Sequence, residues 1–429
     1  MTGRPDFQVD VYQNEYLPSG ARQVNAILTV TGAGESAGEA PPADQTAAAV
    51  VLIVDFSTSM NYPKDKIYAA KQATVVAIDA LREGTAFAVI AGTDHARFLY
   101  PANGTMATAD PAGRAAAKQV LSDTGANGGT AIGSWLLAAN QLLASQTGIR
   151  HAILLTDGRN QHEEPEELAA ALATCQGRFV CDCRGVGTDW NVDELRGIAS
   201  ALLGSVDIIA DPAQLAADFE AIANATMDKS IPDVTLRLWT PQGATVRFVK
   251  QVAPTVADLT QRLVPAGPQI GDYPTGSWGA ESRDYHVCVE VAPGQPGDLM
   301  LAARASLVTG DEVLAQGLVK ALWTDDDVLS TRINAEVAHY TGQAELAEAI
   351  QDGMAARRQG DIDRATSRLG RALALARQSG NTEAAGLLDK VVELADPVTG
   401  TVRLRPKVST ADAMTLDTRS TRTSRVRKG

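Results

Sequence analysis

Between residues 47 and 228 the chain alternates short apolar runs with stretches of helical periodicity. Runs at 48–55, 86–92, 96–100, 150–156, 178–187 and 205–210 read as strands, and 64–82, 111–122, 131–146, 163–175, 191–202 and 212–228 as helices. The run Ala47–Val54 is apolar at every position, as expected of a strand covered on both faces. Alternating β and α in this way predicts a doubly wound α/β unit, a mostly parallel sheet with helices on both sides. Ala96–Tyr100 follows a Gly-Thr-Asp-His turn and is expected to add an antiparallel edge.

The flanking patterns differ. Phe7–Tyr12 and Val24–Val30 alternate with period two, and a Gly/Ala/Pro/Glu-rich linker spans Gly32–Asp44. From Ile231 to about Trp323 short alternating runs are broken by Pro and Gly, which suits an antiparallel β-sandwich. The two N-terminal strands carry too little surface to fold alone and are expected to complete that sandwich, so that the α/β unit is an insertion. Residues 330–395 return to helical periodicity with breaks near Gly360 and Gly380; Gly360–Leu373 resembles half of a tetratricopeptide repeat, but a single helical hairpin docked on the sandwich accounts for it with less. After Pro397 the chain is polar and rich in Thr and Arg, and disorder is expected. The predicted organisation is therefore 1–46 (N-terminal strands and linker), 47–228 (α/β), 229–328 (sandwich), 329–395 (helical region) and 396–429 (tail).

The chemistry concentrates where predicted strands end. Ala47–Val54 stops abruptly at Asp55-Phe-Ser57-Thr-Ser59, a D-x-S-x-S pattern that delivers a carboxylate and two hydroxyls to the C-terminal edge of the sheet, where α/β folds bind ligands. Gly125–Gly133 is a Gly-rich turn presenting Thr130 before an apolar helix, and the run from His151 ends at Asp157. Hydroxyl and carboxylate oxygens are hard donors, suited to Mg²⁺, Mn²⁺ or Ca²⁺. In this order the three segments resemble the von Willebrand factor A (VWA) family and its metal-ion-dependent adhesion site, at Asp55, Ser57, Ser59, Thr130 and Asp157. The resemblance implies a Rossmann-like fold and hydroxyls of Ser57, Ser59 and Thr130 on the ion, directly or through water. Asp55 and Asp157 would stand mostly behind them, and a Glu or Asp of a protein partner would complete the ion's coordination. Phe56 replaces a residue that is commonly small or polar in that motif and is expected to pack beneath the loop.

Other functions lose ground on composition. The Gly-rich loop has no P-loop Lys, and no Ser-His-Asp set or general base can be placed at the site, so an enzyme is not expected. His151 falls at the far end of its strand and His95 in the edge hairpin. The four cysteines, Cys175, Cys181, Cys183 and Cys288, lack zinc spacing and read as small buried hydrophobes, with a redox pair at 181 and 183 the other possibility. The net charge is −13, yet Arg403–Gly429 carries eight Lys or Arg against two Asp, so an acidic body argues against nucleic acid as the main partner. Neither a signal-peptide layout nor a membrane-length apolar run appears, which points to a cytoplasmic protein without membrane contact. Scarce Lys and abundant Ala suggest a high-GC bacterium. Two functional readings follow: a metal-dependent protein-binding scaffold, and an accessory subunit of a AAA+ ATPase engaged in metal insertion or complex remodelling. In the first, Thr415, Thr418 and Thr421 of a disordered tail would be open to phosphorylation by a Ser/Thr kinase and to reading by a forkhead-associated (FHA) domain; a solvated basic tail without a specific role is the plainer alternative.

Overall fold

The computed structural model describes residues 6–33, 47–396 and 401–425, so most of the Gly32–Asp44 linker lies outside the described residues. The chain divides into two compact units. One comprises the chain from residue 47 to Pro232 with Gly276–Gly279; the other comprises the strands before residue 34 and the rest of the chain from Asp233 onward.

Three strands precede the first unit: β1 (Asp6–Gln13), β2 (Leu17–Pro18) and β3 (Gln23–Ala33). The first unit then runs β4 (Ala48–Asp55), α1 (Asp65–Ala80), β5 (Ala86–Gly92), β6 (Ala96–Tyr100), β7 (Ala107–Thr108), α2 (Pro111–Asp123), α3 (Ile132–Leu143), β8 (Ile149–Thr156), α4 (Pro165–Cys175), β9 (Val180–Val186), α5 (Val192–Ala201), β10 (Val206–Ile209) and α6 (Leu215–Met227). The strand order is β10-β9-β8-β4-β5-β6, parallel except for β6, which runs antiparallel to β5 at the edge as expected; β7 also pairs with β5. Every residue of β4 is buried. Val50, Leu52 and Val54 pack with Ala70, Ala73 and Ala77 of α1 and Phe219 of α6, and the alternate side chains face the opposite layer, where α3 lies. From β4 the chain moves outward to β5 and later returns to β8 on the other side. The order therefore reverses between β4 and β8, which opens a crevice at their C-terminal ends.

The second unit is built on β11 (Lys229–Trp239), β12 (Thr245–Ala253), β13 (Ala257–Asp258), β14 (Val264–Gly267), β15 (Ile270–Gly279), β16 (Ser282–Glu290), β17 (Leu299–Thr309) and β18 (Glu312–Thr324). One sheet is ordered β1-β3-β16-β12-β13 and the other β14-β15-β11-β17-β18-β2. The N-terminal strand β3 pairs antiparallel with β16 over Gln23–Val30 and beyond, bringing together segments more than 250 residues apart in sequence. The sheets approach closely: a Cβ at Gly317 would come within 2.6 Å of a Val11 methyl. Following a short helix α7 (Asp327–Ser330), α8 (Ala335–Arg358) covers the outer face of the first sheet, where Val337 and Tyr340 pack on Ile27 and Val252. α8 and α9 (Ile362–Gln378) form the hairpin, and α10 (Thr382–Leu388) follows.

The end of the chain departs from expectation. Residues 401–425 are folded, not disordered: β19 (Val392–Asp396) pairs with β20 (Thr401–Leu404), and α11 (Thr410–Thr418) follows. Val402, Ala413 and Leu416 enter a core with Leu369, Leu373 and Leu388, and Ser409 caps α11 by accepting from the Asp412 amide at 3.0 Å. Beyond it, Val256 N–H donates to Thr421 O at 2.7 Å and Thr423 N–H to Pro254 O at 3.1 Å. Few residues here are apolar, but Val402, Ala413 and Leu416 meet partners in the preceding helices. The three tail threonines change meaning accordingly. Thr418 is 1% exposed, Thr415 is part-buried with its hydroxyl on Ala411 O, and Thr421 is held by its backbone, so the open access assumed for a kinase is not a property of this fold.

Candidate metal centre

The crevice between β4 and β8 gathers all five residues of the D-x-S-x-S pattern and its companions. Asp55, the last residue of β4, is fully buried, and both of its oxygens accept hydrogen bonds: Oδ1 from Ser57 N–H at 2.7 Å and Oδ2 from Thr156 Oγ1 at 2.6 Å. Burial pushes its carboxyl up to about 6; the bonds from Ser57 and Thr156 work in the other direction, and the nearby Asp157 charge adds to the rise. Asp157 follows β8, is equally buried and accepts Ser59 Oγ–H on Oδ1 at 2.7 Å. Ser57 and Ser59 hydroxyls lie 2.8 Å apart. Ser59 spends its single proton on Asp157, so Ser57 is the donor in that pair. The protons thus point along a chain toward a carboxylate, and the hydroxyl lone pairs are left for a cation.

Thr130 is brought to this chain by its backbone. Its N–H donates to His162 Nδ1 at 3.1 Å, and its carbonyl accepts from the amides of Gln161 and His162 at 3.1 and 3.0 Å. Its Oγ1 would lie 3.3 Å from a Cβ added at Gly158, with Ser59 Oγ at 3.6 Å from the same point, so the glycine keeps the space between the hydroxyls open. The Gly-rich loop is tied to the first loop by Thr58 N–H on Gly128 O at 3.0 Å and Asn127 N–H on Phe56 O at 2.7 Å. Phe56 is fully buried, as expected, and anchors the turn from below. A third loop closes the frame: Glu163 accepts from the amides of Gly133 and Ser134, and Asn160 from that of Ile132, capping the start of α3.

The set fits a hard divalent cation: three hydroxyls backed by two carboxylates, with no soft ligand among them. Among the described residues no group of three His, Cys, Asp or Glu could hold a metal, so any site here depends on the hydroxyls. Four neighbours escaped the sequence reading. Thr156 was hidden as the last residue of an apolar run. His162 stands beside the loops, its Nδ1 engaged as an acceptor and its ring against Gly129. Glu163 is sequence-distant from the helix it caps. Lys66 is buried, its Nζ 2.8 Å from Asp157 Oδ2 and 3.6 Å from Asp189 Oδ2. It had a visible signal, since it occupies the buried stripe of α1 formed with Ala70, Ala73 and Ala77. His151 lies, as expected, near the start of β8, away from the loops, with its ring nitrogen 2.9 Å from Asp182. The four cysteines are buried and free.

Comparison with known proteins agrees with this fold. Residues 48–208 match the family described as von Willebrand factor type A domain, and residues 374–420 match the von Willebrand factor type A C-terminal domain, which includes much of the segment expected to be disordered. No curated protein sequence matches. Among solved structures, a von Willebrand factor type A protein from Catenulispora acidiphila is 50% identical, with a TM-score of 0.94 over 99% of this chain and 98% of that one. The ArnB paralog VWA2 from Sulfolobus acidocaldarius shares the fold at 14% identity, with a TM-score of 0.62 over 97% of this chain and 98% of that one. No helix among the described residues is long and apolar enough to cross a membrane. With half of its residues shared over nearly its whole length with such a protein, the chain belongs to the von Willebrand factor type A family.

Proposed function

We propose that this protein is a metal-dependent protein-binding scaffold whose one divalent ion, Mg²⁺ in the first instance, is held by Ser57, Ser59 and Thr130 with Asp55 and Asp157 behind them. The carrying observation is the proton-ordered chain Ser57–Ser59–Asp157, closed against Thr130 across Gly158. A bound ion would supply an electropositive coordination site for a partner's Glu or Asp. The residues supply the rest: buried carboxylates orient the hydroxyls, and the Gly-rich loop fixes Thr130. No nucleophile–base pair is needed, which favours recognition over catalysis. Service as an accessory subunit of a AAA+ ATPase is compatible with the same surface, the ATPase then being the acidic partner. Reading of phosphorylated Thr415 or Thr418 by an FHA domain would first require α11 to unwind, and that of Thr421 would require its backbone bond to Val256 to open, so the fold does not favour it. The boundaries 47–228, 229–328 and 329–395 remain part of this reading as units of function, the first binding and the others supporting it.

The test is capture of partners from lysate of the source cells with Mg²⁺ and with EDTA, using wild-type protein and Asp55→Ala. Proteins retained only by wild type and only with Mg²⁺ are the expected result. A set of partners indifferent to both changes would refute the metal-dependent reading.

A further inference from the structure

The two buried carboxylates of the site are treated differently by their surroundings. Asp55 receives neutral donors, from Ser57 and from the Thr156 hydroxyl. Asp157 is split: Ser59 takes Oδ1 at 2.7 Å and the Lys66 ammonium takes Oδ2 at 2.8 Å. The Lys66 side chain is 9% exposed, whereas its other acidic neighbour, Asp189, is 74% exposed and screened by water. A lysine whose only part in the fold were to cover its helix would leave its charge in solvent. This one is turned inward onto an aspartate of the metal site.

We infer that Lys66 is a built-in counter-charge that sets the electrostatic balance of this site. This rests on the metal-binding reading above. Before an ion binds, two carboxylates and one ammonium carry a formal net charge of about −1, and the Lys66 ammonium holds Asp157 in place at 2.8 Å. A dication then takes the site to about +1, and one partner carboxylate returns it to neutrality. Without Lys66 the two carboxylates alone would neutralise the dication, and a partner carboxylate would gain less. Lys66 therefore trades affinity for the ion against affinity for an anionic partner, and makes the loaded site select a single acidic side chain.

The experiment is calorimetric titration with Mg²⁺ alone, at pH 7.5 and low ionic strength, of wild type, Lys66→Met and Lys66→Gln, with thermal unfolding of each metal-free protein alongside. Both variants should bind Mg²⁺ roughly tenfold tighter than wild type and melt lower than wild type when metal-free. Lys66→Gln, which keeps a hydrogen-bond donor, provides the result if Lys66→Met does not fold. Equal or weaker Mg²⁺ binding in a folded variant would overturn the counter-charge role while leaving the metal site itself standing. Absence of Mg²⁺ binding by wild type would overturn the metal reading on which the inference rests.

Discussion

The crevice at β4 and β8 and the C-terminal segment 401–425 are both rich in hydroxyls, and they use them in opposite ways. In the crevice, the Ser57 and Ser59 hydroxyls form a chain that ends on the buried Asp157 carboxylate. In the C-terminal segment, Thr415 bonds Ala411 O within its own helix, Thr423 bonds Val252 O, and Thr418 is shut into the interior. The hydroxyls of Thr415 and Thr423 thus fasten backbone, that of Thr418 is buried without a hydrogen-bond partner among the described residues, and those of the crevice form a chain ending on a carboxylate. The difference lies in the neighbours, and residue type alone does not reveal it.

The comparison can be broken from either side. Leu416 of α11 is 1% exposed, so Leu416→Ala should lower stability by about 2–4 kcal/mol in denaturant unfolding. An unchanged midpoint would mean that the segment does not dock. On the crevice side, Thr156→Val removes the 2.6 Å bond to buried Asp55 and should cost about 1–3 kcal/mol in the metal-free protein. A neutral outcome would show that Asp55 does not depend on that donor.

Proton linkage gives the next effect. Burial raises Asp55 from 3.8 to about 6, so the metal-free fold holds this proton more tightly than the unfolded chain does, and this group's contribution to stability declines as pH rises from about 4 through about 6. Cation binding needs the carboxylate, so Mg²⁺ affinity should run the other way, roughly tenfold weaker at pH 5 than at pH 7.5. Flat affinity across that range would place Asp55 outside the binding equilibrium. The smallest expected effect sharpens the contrast: Thr415→Ala, which removes a hydroxyl used only within α11, should change stability by no more than about 0.5 kcal/mol and leave Mg²⁺ affinity untouched.

The legible parts of the sequence were those in which structure is encoded locally. β4 and β5 lie within a residue of where the apolar runs put them, because a strand buried on both faces leaves an unbroken apolar signature. Asp55, Ser57 and Ser59 were legible for the same reason, being the first polar residues after such a run. Thr130 and Asp157 needed the family resemblance to connect them. Lys66, Glu163 and His162 act on loops far from them in sequence, so nothing local announced their partners, although the helical stripe through Lys66 marked it as inward-facing. Segment 401–425 was misread because its order comes from Val402 and Leu416 meeting Leu369 and Leu388, and from backbone bonds to 254–256, none of which leaves a local pattern.

The central claim is that hydroxyls aligned by buried carboxylates hold one divalent ion. It is tested most directly by calorimetric titration of Mg²⁺ into the wild-type protein and Asp55→Ala at pH 7.5, with circular dichroism to establish that the variant is folded. The account predicts one ion per wild-type chain and no measurable binding by the variant. Undiminished affinity in folded Asp55→Ala, or a wild-type protein that takes up no divalent ion, would contradict it.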